Sequence, residues 1–312
     1  MTTAIHRDNR RARVWQLAKH QDGVITRAQL LELGVSPSAI SAEIRARRWR
    51  RVGRHTICIH TGDLSQAALR RYAVWESGCR AALDGATSLE AAGMTGADEQ
   101  ALHVSVTGGL GRRHMPGVVA HHVRTRLPWE VIDDGTPRVH PAIASLRAAS
   151  WAMSDRQAAL WLVLPVQQRI VHAGQLIVAT QQIGVRERRG LIVQLVRDIA
   201  DGAHSLGELD FTAECRARGL PEPDRQAVCR TPGGRYYLDV RWTSIGLVIE
   251  IDGVHHAQGL APVDDALRQN EVTLRRDTVL RIPLLAFRLD RKRMMDQVVR
   301  AHAELTARAT RR

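Results

Sequence analysis

The spacing of apolar positions changes repeatedly along the chain, and each change predicts an element. In residues 8–20, Val14, Leu17 and Ala18 fall at helical spacing among Arg10, Arg11, Arg13 and Lys19, which predicts an amphipathic helix with a basic outer face. Thr26 stands where an N-cap is needed ahead of Leu30, Leu31 and Leu33, and Gly34 ends that short helix. Ser36-Pro37 marks a further start, with Ser36 as cap and Ala39, Ile40 and Ile44 as the apolar side. Residues 49–54 and 55–59 then read as two short β-like runs joined near Gly53.

Residues 65–82 and 84–93 carry helical spacing, residues 102–107 and 118–124 alternate as strands do, and residues 151–170 and 186–199 are helical again. Gly108, Gly109, Leu110, Gly111, Arg112 and Arg113, between the two strands, have the glycines of a phosphate loop without its Lys-Ser/Thr, so they read as a mobile hairpin with basic residues. Asp201-Gly202-Ala203-His204-Ser205 marks a boundary. After it a helix runs from Ser205 to about Arg218, and strand-like runs follow at 226–231, 236–242 and 246–251. The pattern predicts a multi-domain α/β protein: a winged helix-turn-helix over 1–62, an α+β region over 63–202, and a mixed sheet with flanking helices over 203–312.

Composition narrows the partner. A formal net charge of +13 favours a polyanion, because basic groups displace counterions from phosphates. Residues 1–60 hold 12 basic against 4 acidic side chains, 61–202 hold 15 against 13, and 203–312 hold 18 against 15. The excess is therefore N-terminal. The longest apolar run, residues 159–166, is far short of a membrane span, and the N-terminus lacks a signal-type apolar core, so a cytoplasmic protein without a membrane partner is expected. Cys58, Cys79, Cys215 and Cys229 are scattered, which argues against disulfides and a zinc site. His103, His114, His121, His122 and His140 have no His-x3-His or cysteine partner and read as surface or strand histidines.

In a winged helix-turn-helix the second helix of the pair enters the major groove and the wing meets the phosphate backbone. Ser38, Ser41, Arg45, Arg47 and Arg48, with Arg50, Arg51 and Arg54 in the wing, are then expected to face double-stranded DNA. The run GVITRAQLLELGVSPSAISAEIRARRWRRVGRHTICI, residues 23–59, resembles the winged-helix domain of AbiEi-type antitoxins. That resemblance implies a DNA-binding regulator with a toxin-type protein partner; a second copy of the chain is the alternative protein partner. The structural account of the same residues is a small helical domain with a solvated arginine face, or a winged helix used only for protein contacts.

Candidate chemistry lies in VIEIDGVHH, residues 248–256. Residues two apart on a strand share a face, so Glu250 and Asp252 point one way while Ile249 and Ile251 point the other. Antiparallel pairing with the preceding strand could bring Asp239 beside Glu250. Clustered carboxylates resist joint ionisation unless a counter-charge meets them, and an oxygen-only set suits Mg2+ or Mn2+. The alternative is a buried ion-pair network with Arg241 or Arg268.

The order Glu208, Asp239, Glu250-x-Asp252-Gly253, His255-His256, Asp264-Asp265-Ala266-Leu267-Arg268-Gln269-Asn270 and Val279-Leu280-Arg281 resembles the PD-(D/E)XK nucleases, in the branch similar to very-short-patch-repair endonucleases. The resemblance covers roughly residues 203–309 and implies a restriction-endonuclease-like sheet that hydrolyses DNA phosphodiester bonds with a divalent cation. It assigns Asp239, Glu250 and Glu208 to the metal, Asp252 to the motif lysine position, and His256 or His255 to activation of water. Leu238 stands where the family has proline, and Asp252 where it has lysine, which leaves the proton acceptor open. Glu208 also completes Ser205-x-x-Glu208, a capping box that explains it without chemistry. A non-enzymatic, antitoxin-type regulator with a degenerate nuclease fold is the competing expectation.

Overall fold

The computed structural model describes residues 2–97, 99–108, 115–184, 186–201, 211–230, 236–252 and 278–311. The chain is a multi-domain α/β protein whose contacts divide it into two compact units, residues 1–147 and 148–312.

The first unit begins with α1 (Thr2–Lys19), β1 (Val24–Thr26), α2 (Arg27–Glu32), α3 (Pro37–Arg45), β2 (Arg50–Arg51) and β3 (Thr56–Cys58). Its helix starts are set by neighbouring residues. Thr26 Oγ1 accepts from the Gln29 N–H while Gln29 Oε1 accepts from the Thr26 N–H, and Ser36 Oγ accepts from the Ala39 N–H ahead of Pro37. The strands lie in the order β1-β3-β2, all antiparallel, so β2 and β3 form the expected wing. Val14, Ala18, Ile25, Leu30, Ile40 and Ile57 fill the core beneath.

Next come α4 (Gln66–Ser77), β4 (Ala81–Leu83), α5 (Gly85–Ala91), β5 (Leu102–Thr107), β6 (Val118–Val123), β7 (Val131–Ile132), β8 (Arg138–Val139) and α6 (Pro141–Trp151), within which the division of the chain falls. Five strands form one sheet, ordered β6-β5-β4-β8-β7. The helix expected over 65–82 stops at Ser77, because Gly78 takes φ 111° and leaves the helical region. Ala81–Leu83 instead becomes the middle strand, antiparallel to β5 and parallel to β8. β5 and β6 pair in parallel, whereas a hairpin joins antiparallel strands; of the run expected as a hairpin, residues 109–113 lie outside the described residues. Asp84, fully buried, caps α5 and pairs with Arg147, which also meets buried Glu130.

The boundary expected at 62/63 lies inside this unit. Val24 and Cys58 of the winged helix share a small core with Ala68 of α4, and Arg71 of α4 pairs with Asp22 at 2.9 Å.

In the second unit α7 (Asp155–Gln167), α8 (Ala173–Gln182) and α9 (Arg189–Asp201) precede α10 (Phe211–Arg216), β9 (Arg225–Arg230), β10 (Tyr236–Trp242), β11 (Leu247–Asp252), β12 (Thr278–Pro283), α11 (Leu284–Leu289) and α12 (Arg291–Thr310). The single helix expected over 151–170 is interrupted where Ser154 caps α7, and α8 is an element the periodicity did not mark. The sheet runs β12-β11-β10-β9, with β9, β10 and β11 antiparallel and β12 parallel to β11. Gly246 makes the return from β10 to β11 in the left-handed region, at φ 65°. Leu238, Val240, Ile249 and Ile251 pack with Phe211, Phe287, Met295 and Val298 of the helices. Each large side chain so buried contributes about 1.5–3 kcal/mol relative to exposure.

The boundary expected at 202/203 also falls inside a compact unit. Asp198 of α9 is gripped by Arg288 of α11 through Nε and Nη2, at 3.0 and 3.2 Å, and this pair ties the helices before residue 202 to those after the sheet.

Candidate functional site

Alternation along β10 and β11 separates two faces. The aliphatic face meets the helices; Asp239, Arg241, Val248 and Glu250 occupy the other. The antiparallel register sets Asp239 directly opposite Glu250, and each is only 2% exposed. Directly opposed residues bring their Cβ atoms within about 4.5–5.5 Å, so this is one site.

Each acid is met by an arginine. Arg241 Nε donates to both Asp239 oxygens, at 2.9 and 3.1 Å. Arg281 Nε donates to Glu250 Oε2 at 3.2 Å, brought there by the parallel register that pairs Glu250 with Arg281 across β11 and β12. Both arginines reach solvent, with side chains 29% and 33% exposed. Of the two counter-ions expected, Arg241 is in place, whereas Arg268 lies outside the described residues. Arg281 was not singled out as a counter-ion in the sequence. Its signal there was an arginine inside an otherwise apolar strand, VLRIP, but the register that gives it meaning is long-range.

Asp252 continues β11, paired with Tyr237, and its side chain lies outside the description. Glu208, His255 and His256 fall outside the described residues. The sheet thus brings together two of the six residues expected to form the site. Among the described residues no group of three or more His, Cys, Asp and Glu converges. Asp239 and Glu250 form an oxygen-only donor pair without thiolate or imidazole. That chemistry fits Mg2+ or Mn2+, which commonly takes one or two carboxylates and completes its shell with water and substrate oxygens.

The expected nucleic-acid residues lie in the winged helix, and all eight are exposed. Ser38, Ser41 and Arg45 share one side of α3 at spacings of three and four, away from buried Ile40. Several are already engaged: Ser41 Oγ donates to the Pro37 carbonyl, Ser38 Oγ bonds Ser36 Oγ, and Arg48 pairs with Glu43. In the wing, Arg50 donates to the Gly62 carbonyl and Arg51 to the Gly53 carbonyl. Among the described residues, the side chains of Arg45, Arg47 and Arg54 have no such partner, so they are the least engaged of the eight. Arg10 and Arg13 of α1 line a polar groove of about 580 Å³ with Gln16, Glu32 and Gly34, adding cations beside the turn into α3.

Glu76, absent from the expectations, is the residue that holds the wing. Its carboxylate accepts from the backbone N–H groups of Arg54, His55 and Thr56 and from Thr56 Oγ1, at 2.7 to 2.9 Å. A Cβ at position 53 would stand 2.4 Å from that carboxylate, which is why glycine is needed there.

His103 and His121 meet on β5 and β6, stacked with ring centroids 5.2 Å apart and nitrogens 2.9 Å apart. Burial, then His103 and Arg147, push His121 down to about 3. Burial likewise lowers His103, against the pull of Glu99.

No described helix is long and apolar enough to cross a membrane. No protein-family model matches the chain, and no curated protein matches it at a significant level.

Proposed function

We propose that this protein binds double-stranded DNA through its winged helix and hydrolyses phosphodiester bonds at the Asp239–Glu250 pair with the aid of a divalent cation. The observation that carries the reading is the placement of two nearly fully buried carboxylates directly opposite each other on β10 and β11. Burying two acids side by side is unfavourable without strong counter-charge, so their position needs a reason that a solvated strand pair does not.

Asp239 and Glu250 would hold the cation, with Glu208 as a further oxygen ligand and Asp252 supporting it or its waters. What such a cation supplies when bound is orientation and acidification of water, and relief of charge on the scissile phosphate. His256, or in its place His255, would accept the proton of the attacking water. The exposed arginines of the first 60 residues supply the non-specific attraction that brings a phosphate backbone to the protein.

The two ion pairs, Asp239 with Arg241 and Glu250 with Arg281, favour a second reading. In it the acids are a structural network in a degenerate nuclease fold, and the chain is an antitoxin-type DNA-binding regulator, with a toxin-type protein or a second copy of the chain as partner. Plasmid nicking with and without Mg2+ separates the two. The first reading expects nicking that needs Mg2+ and falls at least a hundredfold in Glu250→Ala, the order of loss for a group supporting the reacting centre. Nicking indifferent to Glu250→Ala would remove the assigned site. Tight duplex binding without nicking on any DNA would favour the regulator.

A further inference from the structure

We infer that Arg281 is the phosphate-binding residue of this site, an assignment that rests on the phosphodiester reading above. Two other buried acid–arginine contacts of the chain, at Asp198 and at Asp84 with Glu130, are closed by outer guanidinium nitrogens. Asp198 is held by both Nε and Nη2 of Arg288, whose side chain is 11% exposed. Asp84 and Glu130 are held by Nη1 of Arg147, equally enclosed, at 2.8 and 2.7 Å. In those pairs the outer nitrogens of the guanidinium turn inward and close on the acid.

Arg281 does the opposite. It touches Glu250 through Nε alone, at 3.2 Å. Its side chain is a third exposed while Glu250 is buried, and among the described residues Nη1 and Nη2 donate to nothing. The guanidinium therefore meets a buried acid through Nε while the side chain reaches solvent, its two-pronged end unengaged among the described residues. That fork matches two oxygens of a phosphodiester, and the parallel register fixes it beside the carboxylate that would hold the cation. An anion seated on Nη1 and Nη2 draws the positive charge outward and leaves Glu250 freer to accept a cation. Arg281 thus serves as a cation's stand-in beside Glu250 until substrate arrives, and as a substrate ligand afterwards.

The test uses the full chain and two readouts, Mn2+ binding by calorimetry with the metal alone and steady-state nicking of supercoiled plasmid. Arg281→Gln removes the competing charge from Glu250, so Mn2+ should bind several-fold more tightly while kcat/KM for nicking falls by about tenfold, the order of a lost charged hydrogen bond. Arg281→Lys keeps the charge but loses the fork. It should bind Mn2+ as the wild type does and still show a raised KM, and it answers the question if the glutamine variant does not fold. Mn2+ affinity falling together with nicking would make Arg281 a mere prop for Glu250 and overturn the assignment. Nicking unchanged in both variants, with Glu250→Gln abolishing Mn2+ binding and nicking, would overturn Arg281 alone. Wild type that neither binds Mn2+ nor nicks DNA would overturn the phosphodiester reading along with it.

Discussion

At the scale of single residues, burial decides what each ionisable group can do. Asp239 and Glu250 carry two negative charges into the sheet, and Arg241 and Arg281 carry two positive charges to its rim. Among the described residues the pairs balance the two acids, which a buried site tolerates far better than net charge. The histidine pair of the first unit obeys the same rule with the opposite sign. A histidine whose folded pKa lies below its ordinary 6.5 takes up its proton in the unfolded chain first. The stability that the neutral pair contributes is whole above about pH 6.5 and is lost progressively as the pH falls toward about 3. Urea midpoints should therefore decline from about pH 7 to about pH 4, and His121→Phe should make the decline shallower. An unchanged slope in that variant would count against the pair as its source. None of this could be read from His103 and His121 in the sequence, where they are 18 positions apart; the parallel pairing of β5 and β6 makes them neighbours.

At the scale of elements, the winged helix was the most legible part of the chain. Its helices are bounded by signals within four residues, Thr26 with Gln29 and Ser36 with Pro37, and local hydrogen bonds need no distant partner to form. What the pattern omitted is how the wing is held. Three consecutive N–H groups of the hairpin turn converge on one carboxylate from α4, about twenty residues away in the chain. Glu76→Gln replaces one acceptor oxygen by a donor that faces other donors, and each buried group left unpaired costs about 1–3 kcal/mol. Faster amide hydrogen exchange at residues 54–56 is expected, with the proposed duplex binding weakened and the proposed Mn2+ binding at the Asp239–Glu250 pair unchanged. Protection of those amides as in the wild type would show that the wing does not depend on the clamp. Helix α4 also shows the limit of periodicity: alanine and leucine suit either period, so the chain through Ala81–Leu83 reads as helix until the sheet claims it.

At the scale of the whole molecule, the basic excess and the buried acid pair reside in different compact units. The net charge of the first 60 residues, 12 basic against 4 acidic side chains, belongs to the unit of residues 1–147, and the acid pair to that of residues 148–312. The proposed duplex binding should therefore depend steeply on salt, and if Arg45, Arg47 and Arg54 each meet a phosphate, substituting them together by alanine should reduce the slope of log K against log salt by about 2.7, or 0.9 per lost contact. Glu250→Gln should leave that slope as it is; a slope unaltered by the arginine substitutions would place the DNA contacts elsewhere. The sequence by itself determined the elements whose signals are local: the capped helices, the wing, the three-strand meander, and the alternation that puts Asp239 and Glu250 on one face and Ile249 and Ile251 on the other. Only the tertiary structure decided that β12 lies parallel beside β11, that Arg281 meets Glu250, that Glu76 clamps the wing and that Asp198 binds Arg288. The reason is physical: caps and alternation act over a few residues, whereas parallel pairing and buried ion pairs join positions whose separation along the chain carries no mark of their contact in space.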